Sequence, residues 1–174
     1  LQPQEIRVAL YHGDFASLLS KLNENTDWRK LYGLKSTRLK DIELVLRFLG
    51  LYFHSGSYKK PMKAFLNRYM AANRNLLKQP ENIIRPIFEK TVSTILNGIG
   101  LKAFRPFSSS INAAVLESVM YGVATRLSAG PLTDTSALKN SYDKLMKLDI
   151  YKHAVSSGTA DEENVSKRLE AAKT

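Results

Sequence analysis

Apolar residues recur at intervals of three and four along nearly the whole chain, the spacing that gathers them on one face of an α-helix. Phe15, Leu18, Leu19 and Leu22 open the series, with Asp14 placed to cap. A short helix is predicted from Asp27 to Tyr32, with Gly33 as its stop. Between Leu39 and Phe53, apolar residues cover most of the circumference, the mark of a helix buried on several sides and of the centre of a core. Pro61 suits a first helical turn, and Met62, Phe65, Leu66, Tyr69 and Met70 continue from it. Ile83, Ile84, Ile87, Phe88, Ile95 and Leu96 make a stripe through a segment punctuated by Pro80 and Pro86 and ended by Gly98 and Gly100.

After a connecting loop at 101–109, Ile111, Val115, Leu116, Val119, Met120, Val123 and Leu127 predict a long amphipathic helix closed by Gly130-Pro131. Leu138, Tyr142, Leu145 and Met146 predict another, with a turn of helix at Ile150–Val155. The last segment opens on Thr159 and Glu162 at capping-box spacing and runs helical through Leu169. No stretch alternates with the period of two that a strand requires. The expected fold is all-α, a single-domain bundle of roughly eight to ten helices spanning 1–174.

Composition changes this picture in three ways. The chain has 174 residues and an apolar fraction of 44%, enough to enclose a core. There is no cysteine, so disulfides, thiolate metal sites and cysteine nucleophiles are excluded together. The longest apolar run, Leu44 to Phe53, is interrupted by Arg47 and falls short of the roughly 20 residues that span a bilayer. A cytoplasmic protein without membrane contact is expected. The start at Leu1 suggests a piece cut from a longer chain.

Charge is distributed unevenly. The net charge is +10, and residues 59–105 carry ten Lys/Arg against Glu81 and Glu89, net +8, while 107–174 are neutral. A helix continued through 60–78 at about 100° per residue would place Lys60, Lys63, Arg74 and Lys78 in a narrow arc, with Arg68 and Lys59 beside it. Met62, Phe65, Tyr69 and Leu76 would fall on the opposite side. Such a ridge has two readings: a row of contacts to nucleic-acid phosphates, or a solvated outer face.

Candidate chemistry is sparse. His12, His54 and His153 are far apart and form no metal-ligand spacing. His12 beside Gly13 and Asp14 reads as a turn residue, and His54 as a favourable charge at a helix C-terminus. Asp41 and Glu43 are too close in sequence to share a helical face. Ser108-Ser109-Ser110 has no adjacent base, and no phosphate loop or Gly-x-Ser-x-Gly occurs. Trp28, on a short helix with Leu31 and Tyr32, reads as core rather than a stacking platform. No catalytic residue is expected.

Four segments carry a resemblance: LQPQEIRVALYHGDFASLLSKLNENTDWRKLYG at 1–33, RLKDIELVLRFLGLYF at 38–53, PMKAFLNRYM at 61–70 and SSGTADEENVSKRLEAA at 156–172. In this order they resemble the helical C-terminal portion of the GmrSD-type family, prokaryotic proteins associated with restriction of modified phage DNA. In that family the chemistry lies in a ParB-like amino-terminal half marked by an Asp-Gly-Gln-Gln-Arg motif. This chain lacks the motif, so the resemblance assigns no catalytic residue and no cofactor here. It implies a parent that handles an NTP with a divalent metal as an NTPase or nuclease. The resemblance implies the N-terminal half and an HNH-type nuclease domain as partners. The charge pattern makes Lys59, Lys60, Lys63, Arg68, Arg74 and Lys78 the candidate contacts to duplex DNA, and an apolar patch left uncovered by the N-terminal half would favour self-association. The alternative is a purely structural, protein-binding helical domain.

Overall fold

A computed structural model describes residues 2–173 and shows ten α-helices, with no strand among them. They are α1 (Pro3–Leu10), α2 (Asp14–Asn23), α3 (Thr26–Tyr32), α4 (Lys40–His54), α5 (Met62–Ala72), α6 (Glu81–Gly98), α7 (Ala113–Ser128), α8 (Thr135–Leu145), α9 (Asp149–Ser156) and α10 (Glu162–Ala171). A 3-10 turn, Ser55–Ser57, follows α4. The all-α expectation holds, and one continuous core takes side chains from α2 through α10.

The core is built around α4 and α7, which share the most extensive helix contact. On α4, Val45, Leu46, Phe48, Leu49 and Leu51 are fully enclosed. On α7, every residue from Ala114 to Ala124 is buried, so a helix that reads as amphipathic is covered on all sides. Asn112 caps it by accepting from the Ala114 and Val115 amides, and its Nδ2 donates to the Val155 carbonyl on α9. Gly122 is where α7 meets the chain just past α10: a Cβ there would collide with the Ala172 carbonyl oxygen. Around Trp28, the rings of Tyr32, Phe88 and Phe104 pack within 5.5–6.4 Å, joining α3 to α6 and to the 101–111 loop. The loop is therefore anchored, with Ala103 and Phe104 in the core and Arg105 donating to the Leu31 and Tyr32 carbonyls.

Several local expectations are corrected. Helix α1 has no apolar inner stripe. It turns Gln4 and Arg7 inward and leaves Ile6 and Leu10 exposed, so the spacing rule passes over it. Asp14 is the first residue of α2, after Gly13 as N-cap, and contributes a negative charge to the first turn. Pro61 precedes α5 instead of lying inside it. Ile83 is exposed despite belonging to the stripe on α6. The Thr159–Glu162 capping box does not form. Asp161 is the N-cap of α10, and Glu162 instead binds Lys59 Nζ and the Lys60 amide.

The largest correction concerns the segment after α5, which ends at Ala72. Asn73, fully buried, accepts from the Lys78 and Gln79 amides and donates to the Gln79 carbonyl. One side chain thus folds 73–79 into a compact loop, and Leu76 takes the left-handed conformation with φ 56°. A helix running from Lys60 to Lys78 does not exist.

Candidate functional site

With the continuous helix gone, the six basic residues separate into three groups. Lys59 and Lys60 lie ahead of α5 and pair with Glu162 (3.1 Å) and Asp161 (3.0 Å) at the start of α10. The Lys59 hydrogen bond and the Lys60 amide hold the Glu162 carboxyl below its usual range. Arg74 is a strap. Its Nε donates to the His12 carbonyl at 2.7 Å, and its own carbonyl accepts from the Phe15 amide at the start of α2. The turn residue His12 thus acts through its backbone. Lys63, Arg68 and Lys78 remain exposed and, among the described residues, have no ion-pair partner. Lys63 and Arg68 flank the outer face of α5, about 140° apart on the helix, so they do not form a single ridge.

Buried ionisable groups are committed to holding elements together. Asp41, 1% exposed at the start of α4, accepts from Asn23 Nδ2 (3.0 Å), Arg29 Nη1 (2.9 Å) and the Ser36 amide (3.2 Å). Burial would raise its pKa, but hydrogen bonds from Asn23, the Ser36 amide and Arg29 outweigh that and hold it below the usual aspartate range. Asn23 passes the link on to Trp28 Nε1 at 2.8 Å. On the inner face of α1, Arg7 Nε donates to Asn67 on α5 at 2.8 Å, and Arg7 Nη1 contacts Gln4 and Glu43. Burial pushes the Arg7 pKa down, and Glu43 offsets part of it. At the centre, the enclosed Glu117 of α7 joins Arg168 of α10 to Arg47 of α4, the latter at 2.8 Å. Arg168 Nη1 also donates to the Thr159 and Ala154 carbonyls at 2.7 and 3.3 Å. Burial would lower the Arg47 pKa, but Glu117 and Glu43 raise it, so its charge is secure.

A further grouping was not anticipated from the sequence. A cavity of about 350 Å³ opens between the first turn of α1, the end of α3, the start of α4 and the start of α7. Arg38, Lys40 and Arg47 line it together with Glu43, Tyr32, Leu44 and Ile111. Its walls come from four segments of the chain. The one sequence signal was that basic residues at 38, 40 and 47 share a segment otherwise dominated by core residues.

The histidines are separated here too. His54 closes α4 with its ring 5.1 Å from that of Tyr69, and His153 lies in the last turn of α9. Among the described residues, no three His, Asp or Glu side chains gather as metal ligands would. No described helix is long and apolar enough to cross a membrane.

No family model, no curated protein and no solved structure matches this chain.

Proposed function

We propose that this chain is a non-catalytic helical part of a DNA-sensing or modification-dependent restriction protein, packing against a ParB-like NTP-handling half and lending a basic surface to duplex DNA. The observation that carries the DNA contact is the imbalance left after ion pairing. Lys63, Arg68 and Lys78, with Lys90 and Lys102, are exposed and have no acidic partner among the described residues. Exposed cations without acids around them are what a phosphate backbone attracts through counterion release. The restriction context rests on the resemblance of the four segments to the GmrSD-type family. Such contacts read backbone and not sequence.

The test is duplex binding by this chain over a salt series from about 50 to 200 mM. The proposal expects affinity that falls steeply with salt. Reversing Lys63, Arg68 and Lys78 to Glu should flatten the log–log slope by about 3, at roughly 0.9 per lost contact. Lys59 and Lys60 should matter less, because Asp161 and Glu162 already neutralise them. No binding at the low-salt end would refute the DNA contact.

A second reading, a protein-binding domain without nucleic-acid contact, is favoured by α1. Its Ile6 and Leu10 are 37% and 64% exposed while Gln4 and Arg7 face inward, an arrangement that leaves an apolar edge for another surface. Salt-insensitive capture of the N-terminal half, lost on changing Ile6 and Leu10 to Ser, would support it.

A further inference from the structure

The basic cavity between α1 and α4 has the chemistry of a small-ligand site, and nothing in the proposed DNA contact uses it. Three cations line it. Arg47 enters from the second turn of α4 with its Nε held by Glu117 at 2.8 Å, and no hydrogen bond from the described residues occupies its Nη groups. A guanidinium fixed on one edge and open on the other is pre-oriented to donate a forked pair to an anion. Lys40, the first residue of α4, is exposed and without an ion-pair partner among the described residues, and Arg38 is tied only loosely, 3.7 Å from Glu5. The N-terminus of α4 is already complemented, with Ser36 Oγ accepting from the Lys40 amide and Asp41 from the Ile42 amide, so the attraction rests on the side chains.

Two polar groups restrict the ligand further. Gln4 lines the cavity and is 1% exposed, with Oε1 accepting from Arg7 while Nε2 has no partner. A buried amide donor left unsatisfied calls for an acceptor. Glu43 also lines the cavity, and its carboxylate repels a bare anion but accepts from hydroxyl groups. Tyr32 supplies an aromatic edge. At about 350 Å³ the space lies at the small end of the range for small-molecule pockets.

We propose that this cavity binds the phosphomonoester of a sugar: phosphate oxygens on Arg47, Lys40 and Arg38, sugar hydroxyls on Glu43. A free sugar phosphate and a mononucleotide share this chemistry, and Tyr32 would contact the base of the latter. The site is independent of the DNA contact.

The experiment is an amide-resolved NMR titration of the whole chain with inorganic phosphate, ribose 5-phosphate and adenosine 5′-monophosphate. The expected result is saturable shifts at Tyr32, Arg38 and Lys40, with ribose 5-phosphate binding more tightly than inorganic phosphate. Stronger binding of the adenosine monophosphate would assign the site to nucleotides, and equal binding to sugar phosphates generally. The paired change of the exposed Arg38 and Lys40 to Ala should weaken binding about tenfold or more. The Lys63→Glu, Arg68→Glu, Lys78→Glu variant should bind as the parent does, which separates this site from the DNA-contacting residues. Glu43→Gln should weaken the sugar phosphates but not inorganic phosphate. No saturable shift at the cavity, or equal affinity for inorganic phosphate and ribose 5-phosphate, would overturn the proposal.

Discussion

Replacing Glu117 with Ala removes the one carboxylate among the described residues that contacts Arg168, a side chain 0% exposed on α10. The guanidinium would keep the Thr159 and Ala154 carbonyls, but those neutral acceptors leave its charge uncompensated inside the core. Its Nε already lacks a partner, so no reserve contact is available. Breaking a buried pair from one side costs about 3–5 kcal/mol. In a chain of 174 residues that corresponds to a melting temperature lower by about 6–20 °C, and to a urea midpoint lower by roughly 1–3 M. Trp28, the only tryptophan and fully buried, supplies the fluorescence signal for urea unfolding. The comparison is Glu117→Met combined with Arg168→Met and Arg47→Met. Apolar replacement of a whole buried ionic group is often neutral or stabilising, so the triple variant should recover most of the loss. A single variant whose midpoint moves by less than about 0.3 M would refute the view that this triad is desolvated and mutually dependent.

Three other outcomes follow from the same geometry. Gly122→Ala should destabilise by about 1–3 kcal/mol or more and loosen α10, read as faster amide exchange from Val165 to Leu169, because the added methyl meets backbone and not a movable side chain. Asn73→Ala, which strips two acceptor bonds and one donor bond from the 73–79 loop, should cost about 1–3 kcal/mol and expose that loop to limited proteolysis while α5 stays helical. Asp41 has a folded pKa below its ordinary 3.8, so its contribution is fully present above that value and lost as pH falls through the folded one. Urea midpoints measured from about pH 5 down to 2 should therefore fall less steeply in Asp41→Asn than in the parent, the variant being weaker at the upper end.

The helices were readable wherever a helix buries an apolar stripe, since spacing is then the direct record of the buried face. Helix α1 escaped because its inner face is Gln4, bonded to Arg7, and Arg7 itself, held by Glu43 and Asn67, which lie 36 and 60 residues away along the chain. Spacing cannot register a face satisfied by hydrogen bonds. The overrun of α5 has a different cause. Arg74, Leu76 and Lys78 keep helical phase, so the wheel accepts them, yet Asn73 ends the helix by binding the Lys78 and Gln79 amides. Asn73 followed by Asn75 was the available signal, since asparagine side chains compete for backbone partners and favour helix ends. The capping box failed similarly: Glu162 had the right spacing from Thr159, but Lys59 and the Lys60 amide, a hundred residues earlier, took its carboxylate.

The same logic separates the charges by what they do. Sequence counts Lys59, Lys60, Arg74 and Lys63 as one basic stretch, whereas folding spends the first two on α10 and the third on the turn before α2. Only cations that folding leaves without an acid can offer net attraction to an outside phosphate, because an exposed pair already satisfied has little left to gain. Of the basic residues at 59–78 and around the cavity, this criterion keeps Lys63, Arg68 and Lys78, exposed and without an acidic partner among the described residues, and Lys40 at the cavity. Arg47 is paired with Glu117 and adds only the edge which that pair leaves open. The two groups differ in shape. The first is spread over the exposed flanks of α5 and the loop after it, positions open to a long polyanion that makes many weak contacts. The second is a cavity with a carboxylate and an unsatisfied amide in its wall, suited to a small ligand that carries hydroxyls as well as charge.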